Sequence, residues 1–308
     1  MSDLQNRTNV RSSLGWWSAV GWMLDLAPRF AARRVIDGFT RTGRLRHQPV
    51  PGAVPLPVTL DGRRIPAWSA GVGRAVVLVH GWSGRGSQLA PFVAPLVAAG
   101  LRPVWFDAPG HGEASGRTSN LGEMLRALLA VEAALGEAPI GLVAHSFGGV
   151  AAAIAAQRGL LRAERLVTIG TPADGGVWLP RLVRALGGSD GFLQAAIDEL
   201  CGRARLDWSE LRIAERPVGR PALILHDCED REVPVDSASA LGAGWGAAVL
   251  RTRGLGHRRI LAVPEVVGAG VAFVGDGYVR RGWWHDQACS YEQAALERAL
   301  FDRDHRAA

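Results

Sequence analysis

Residues 140–157 read IGLVAHSFGGVAAAIAAQ, and this stretch decides the fold. Its first part, IGLVAH, is an uninterrupted apolar run of strand length, which is how a strand buried on both faces by helices reads. From Val150 the composition changes to alanine-rich, the strongest helix-forming composition. Between them lies Ala144-His145-Ser146-Phe147-Gly148-Gly149. Small residues stand two before and two after Ser146, where the backbones of a strand and the following helix crowd each other. The pattern matches G-x-S-x-G with Ala144 in the first position, a turn that exposes the serine Oγ above the sheet. Such a serine also stands at a helix N-terminus, where the dipole and the first N–H groups favour developing negative charge. The plain alternative for Ser146 is an N-cap.

The same alternation extends in both directions. AVVLVH (75–80) precedes a helical stretch near 87–99, and LRPVWFD (101–107) precedes another near 120–136. RLVTIG (165–170) follows the alanine-rich helix; ALILHD (222–227), a helix near 235–242, AAVLRTRG (247–254) and a last helix near 258–274 complete the series. Alternating strands and helices imply right-handed crossovers and a doubly wound, mostly parallel α/β sheet, with ligands bound at the carboxyl ends of the strands. Ahead of it, VPLPVTL and RRIPAWSA are β-like stretches joined by the turn signal Asp61-Gly62. Residues 171–217 interrupt the alternation with helix-like pieces near 178–187 and 190–204, read as a helical cap insertion over about 173–217. Gly175-Gly176 and Gly187-Gly188 are its candidate hinges. The expected organisation is a tryptophan-rich helical arm over 1–45, the α/β domain over 46–280, and a C-terminal tail helix within 281–308.

Composition narrows the function classes. The 308 residues are 48% hydrophobic and 21% charged, an ordinary globular balance. The net charge is +6, but all 35 basic residues are arginine and they are scattered. No basic run with interleaved aromatics appears, so nucleic acid is not an expected partner. Cys201, Cys228 and Cys289 are too few and too far apart for a disulfide framework or a zinc site, which points to a reducing cytoplasm, no metal, and a small buried thiol at Cys228. Residues 14–24 (LGWWSAVGWML) are apolar but end at Asp25 and Pro28, far short of a bilayer span. They read as a helix packed on the core, as an interfacial arm in which Trp16, Trp17 and Trp22 meet a membrane over residues 14–34 beside Arg29, Arg33 and Arg34, or as a cleaved signal.

Four further motifs bring a resemblance. They are His80-Gly81-Trp82, residues 107–115 (DAPGHGEAS), residues 226–234 (HDCEDREVP), and Gly256-His257. Together with the Ser146 turn, and in this order on these elements, the chain resembles the α/β-hydrolase superfamily of serine hydrolases from about residue 52 to 275. The resemblance implies the α/β-hydrolase fold, Ser146 as nucleophile, His257 as base, and the backbone amides of Trp82 and Phe147 as oxyanion donors. It favours Asp230 as the acid, while Asp227, directly at the strand end, and more distantly Glu229 compete for that role. Among the other histidines, His80 and His111 sit in turn motifs, and His145 is expected to point away from Ser146. Trp82, Phe147 and Arg85 are expected to line the substrate pocket, although an arginine beside a glycine-rich loop is commonly just solvated.

The reaction this implies is cleavage of a small-molecule carboxylic ester or thioester through an acyl-enzyme on Ser146, with no cofactor. The alternatives are a membrane-associated lipid or acyl-chain hydrolase, an acyltransferase, and a non-catalytic scaffold of the same fold. An Asp in place of Ser146 would be needed for an epoxide hydrolase or haloalkane dehalogenase.

Overall fold

A computed structural model describes Leu24 and residues 26–43, 45–46 and 48–278. Trp16, Trp17, Trp22 and the tail helix expected within 281–308 lie outside the described residues. The chain divides into two compact units. Of the described residues, one unit contains those up to Arg41 together with Gly176–Glu210; the other contains those from Thr42 to Gly175 and from Leu211 to Tyr278.

The larger unit is built on an eight-stranded sheet. Its strands are β1 (Val54–Pro55), β4 (Ala67–Ser69), β5 (Ala75–Val79), β6 (Arg102–Phe106), β7 (Gly141–His145), β8 (Arg165–Ile169), β9 (Ala222–Asp227) and β10 (Ala248–Thr252). A separate antiparallel pair is formed by β2 (Val58–Leu60) and β3 (Arg63–Ile65) around Asp61-Gly62. The spatial order is β1-β4-β6-β5-β7-β8-β9-β10. Pairings from β6 through β10 are parallel, and β1 and β4 add an antiparallel edge. VPLPVTL and RRIPAWSA therefore each divide between two sheets. Pro57 and Pro66 mark the divisions, since neither can donate to a ladder.

The central strands β5, β7 and β9 are buried along their whole length. Their branched and leucine side chains meet helices on both faces, which explains the continuous apolar runs. The register fixes where the loops emerge. Val79 lies opposite Ala144, His145 opposite Ile169, and Asp227 opposite Thr252, so the loops after five strands open at one sheet end. The chain winds from β5 outward to β6 and then returns to the far side of β5 for β7. That reversal leaves the crevice in which sheets of this kind receive ligands.

Helices α2 (Val93–Ala98), α3 (Leu121–Ala134), α4 (Phe147–Gln157), α7 (Asp236–Trp245), α8 (Gly256–Arg259) and α9 (Pro264–Asp276) belong to this unit. Residues 86–92 form a 3₁₀ turn rather than the first turns of the helix expected near 87–99, because Pro91 cannot donate an α-helical hydrogen bond. Likewise the last expected helix breaks before Pro264, which starts α9 as its first residue. Asn120 caps α3 by accepting from the Glu123 amide at 2.9 Å.

The smaller unit is helical, consisting of α1 (Pro28–Phe39), α5 (Trp178–Ala185) and α6 (Asp190–Ala204). Its core joins Ala32 and Ile36 of α1 to Leu179, Val183, Phe192 and Ala196. Gly187 and Gly188 close the α5–α6 turn: their amides donate to the carbonyls of Arg184 and Val183 at 3.0 Å, and a Cβ on Gly188 would approach Phe192 Cδ1 to 2.6 Å. The pair terminates a helix in a packed turn. Phe30 of α1 is exposed with the Arg34 guanidinium over its ring, and Leu26, two residues before the helix, is exposed as well. No described helix is long and apolar enough to cross a membrane.

Candidate active site

Ser146 is the hinge between β7 and α4 and adopts φ 52°, ψ −124°. Only a few per cent of non-glycine residues take a positive φ, and strain of this kind gathers where a side chain must be aimed. The turn is held from both sides. The Ser146 amide donates to the Ile169 carbonyl at 2.9 Å, while the Ser146 carbonyl accepts from the Gly149 amide at 2.9 Å and the Thr171 hydroxyl at 3.2 Å. The glycines have steric reasons. A Cβ on Gly148 would collide with the His80 carbonyl oxygen, and one on Gly149 with the Thr171 hydroxyl. A Cβ on Gly81 would come within 2.9 Å of Ser146 Cβ, so the loop after β5 runs directly against the serine.

That loop is braced by buried groups. His80 Nδ1–H donates to the Gly81 carbonyl at 2.7 Å, and its Nε2 accepts from the Ala108 amide at 3.0 Å. Burial lowers its pKa to about 4, so the ring remains the neutral acceptor this geometry requires. Asp107 links two loops by accepting from the Gly86 amide at 2.7 Å and the Glu113 amide at 2.8 Å. Trp82 is half-buried and packs edge-on against Phe147, with ring centroids 5.9 Å apart. The two expected oxyanion donors thus belong to neighbouring residues. Phe147 is the first residue of α4. Arg85 is half-buried, and its Nε donates to the Ser87 hydroxyl at 3.0 Å; no described contact brings its guanidinium to Ser146.

His257 lies in the short α8, just after β10. Its Nδ1–H donates to Asp230 Oδ2 at 2.7 Å, which in the neutral ring leaves Nε2 as the acceptor nitrogen. Asp230 Oδ1 accepts from the amides of Glu232 at 2.8 Å and Val233 at 2.9 Å. Burial by itself would raise the Asp230 pKa. The hydrogen bonds from His257 and from the Val233 and Glu232 amides outweigh it and hold the carboxyl below its ordinary value. Asp227 serves a different purpose. It accepts from the Thr252 hydroxyl at 2.8 Å and from the amides of Leu255 at 3.0 Å and Glu229 at 3.0 Å. It therefore ties the loop carrying His257 to the end of β9, and no described hydrogen bond joins it to the His257 ring. Glu229 is exposed.

A Cβ on Gly170, one residue beyond β8, would come within 3.1 Å of His257 Nδ1 and 3.3 Å of Asp230 Oδ2. The His257–Asp230 pair therefore rests on the strand end next to Ser146, whose amide is bonded to Ile169. His145 adds a contact that its sequence position concealed. Its Nε2–H donates to the His257 carbonyl at 2.9 Å and the two rings stand 4.6 Å apart. Burial lowers its pKa to about 3. The partner stands 112 positions further along the chain, beyond the reach of any local motif.

Cys228 corrects the expectation of a small buried thiol. It is partly exposed and disulfide-bonded, whereas Cys201 is free. Disulfide pairing depends on Cα separation and Cβ direction, which cysteine spacing along the chain does not reveal. A reducing compartment therefore no longer follows from the cysteines. Among the described residues no group of three or more His, Cys, Asp or Glu side chains could hold a metal ion.

Residues 74–199 match the sequence profile of the alpha/beta hydrolase fold family. No curated protein matches the chain. Among solved structures, a monoacylglycerol lipase of Paleococcus ferrophilus is 21% identical, with a TM-score of 0.54 over 68% of this chain and 98% of its own. An alpha/beta hydrolase fold protein from Burkholderia ambifaria is also 21% identical, at TM-score 0.54 over 75% and 99%. Est1E of Butyrivibrio proteoclasticus, solved with ferulic acid bound, is 17% identical at TM-score 0.56 over 72% and 96%.

Proposed function

We propose, from the premise that this chain is an α/β-hydrolase-fold protein, that it is a serine hydrolase acting on a small-molecule carboxylic ester or thioester. The observation that carries the reading is the His257 Nδ1–Asp230 Oδ2 hydrogen bond of 2.7 Å, formed on the strand ends beside a serine in a strained turn. A lone strained serine would be compatible with a binding scaffold. A serine accompanied by an oriented imidazole is the arrangement nucleophilic catalysis requires.

In this mechanism Ser146 Oγ bonds to the carbonyl carbon of the substrate while His257 Nε2 takes the hydroxyl proton. The carbonyl electron pair moves onto its oxygen, which the amides of Trp82 and Phe147 stabilise. Collapse of the tetrahedral species breaks the bond to the leaving alkoxide or thiolate, which takes the proton from Nε2. Water then repeats the sequence on the acyl-enzyme, and Ser146 is regenerated. Asp230 holds the His257 tautomer and stabilises the imidazolium without itself taking the proton. Trp82, Phe147 and Arg85 are proposed to line the pocket that receives the acyl group.

The test is labelling with a fluorophosphonate probe, followed by turnover of p-nitrophenyl esters of increasing acyl length. Wild type should be labelled and Ser146→Ala should not. No labelling of wild type, or equal labelling of the two, overturns the reading.

A further inference from the structure

Among the described residues two carboxylates meet the His257 ring, and the mechanism above uses one. Asp230 meets Nδ1. Glu232 stands on the opposite side, with Oε2 3.9 Å from Nε2. The two differ in setting, since the Asp230 side chain is 1% exposed and that of Glu232 is 51% exposed. Glu232 is nevertheless held in place. Its amide donates to Asp230 Oδ1 at 2.8 Å, so the turn that fixes the acid also fixes the Glu232 backbone. Its other oxygen, Oε1, lies 3.2 Å from Arg258 Nε, and that arginine is 65% exposed. The carboxylate is thus shared, with one oxygen toward the solvent-side guanidinium and one toward the imidazole nitrogen that exchanges the proton.

Nε2 is the atom from which a leaving group takes its proton, so the leaving oxygen must come within about 3 Å of it. A substituent one or two carbons beyond that oxygen then lies close to Glu232. Resting on the reading of Ser146 as the acyl acceptor, we propose that Glu232 is a specificity-determining residue favouring esters whose leaving group carries a positive charge. Arg258 tempers that preference by pairing with the carboxylate. Because Glu232 is half exposed, solvent and salt weaken its field, and the preference it confers is about three- to tenfold.

The experiment compares two esters of equal shape, a choline ester and the 3,3-dimethylbutyl ester of the same acid, in which carbon replaces the quaternary nitrogen. The acyl group is the best one from the p-nitrophenyl series. The quantity read is the ratio of their kcat/KM values. Glu232→Gln should lower the cationic-to-neutral ratio by about three- to tenfold. Arg258→Gln, which frees the carboxylate, should raise it. Both effects should shrink in high salt. A purely structural Glu232–Arg258 pair would move the ratio in the same direction for both variants, or not at all. Normal labelling of Ser146 with an unchanged ratio, or with no turnover of the choline ester, overturns the inference and leaves the hydrolase reading standing. Absence of labelling in wild type removes both.

Discussion

Two sets of carboxylates, one in each unit, are held in different ways. In the sheet unit, Asp107, Asp227, Asp230 and Glu132 are buried, and each accepts at least two hydrogen bonds from backbone amides or fixed side chains. In the helical unit, Asp37 and Glu199 are partly exposed and meet Arg203 at 2.8 and 2.7 Å, with Arg33 and Arg34 nearby. A buried carboxylate can persist only when its partners are already in place, so it fixes the loops around it. A solvent-screened ion pair contributes little and fixes little. The difference separates a framework that must hold atoms to within tenths of an ångström from one that need only keep its helices together.

The largest expected effect falls on turnover. Asp230→Asn should lower kcat by about 10³- to 10⁴-fold, because an amide facing Nδ1 no longer selects the tautomer that leaves Nε2 free. Its thermal stability should change far less than its rate. Near-normal kcat would remove Asp230 from the mechanism.

Stability breaks along the same line. Asp227→Ala leaves the Thr252 hydroxyl and the Leu255 and Glu229 amides without their acceptor, and should cost about 2–4 kcal/mol in a urea melt. Arg203→Gln should cost no more than about 1 kcal/mol. Equal losses would erase the contrast between the units.

The buried histidines supply the pH dependence. Burial holds His80 near 4, and His111 and His145 near 3, while their ordinary value is about 6.5. Between these limits the unfolded chain binds protons that the folded chain does not, so stability rises with pH and falls on acidification. Each histidine contributes up to about 1.4 kcal/mol per pH unit below 6.5. Urea midpoints at pH 7.5 and 5 measure this directly, and equal values would mean that the rings are not held neutral. His145→Gln should flatten the slope by one histidine's share.

Much of the sheet was legible because buried parallel strands must be apolar on both faces, as in AVVLVH and IGLVAH. The positions of Ser146 and His257 were legible because small residues around Ser146 and the strand-to-helix context of each are steric requirements written locally. The competition between Asp227 and Asp230 was not. Both stand within four residues on one strand end, and only the register of β9 against β10 directs one carboxylate to the Thr252 loop and the other to the His257 ring. Glu232 escaped notice for a similar reason, since nothing in the run DREVP says which way a loop side chain turns. Pro66 and Pro264 interrupt stretches that read as continuous in the sequence, and the pairing of β1 with the main sheet and of β2 with β3 depends on partners elsewhere in the chain. The cysteine count gave no sign of the bond at Cys228.

By itself, then, the sequence determined the alternation of strands and helices, the tight turn at Ser146 and the set of residues proposed to do acyl-transfer chemistry. Periodicity, steric crowding and side-chain chemistry act over a few residues. The tertiary structure decided which acid meets which base, that His145 grips the His257 carbonyl, that α1 completes a core with α5 and α6, and that a second carboxylate faces Nε2. Each of these depends on strand register and loop direction, which bring together residues as far apart in the chain as His145 and His257, 112 positions.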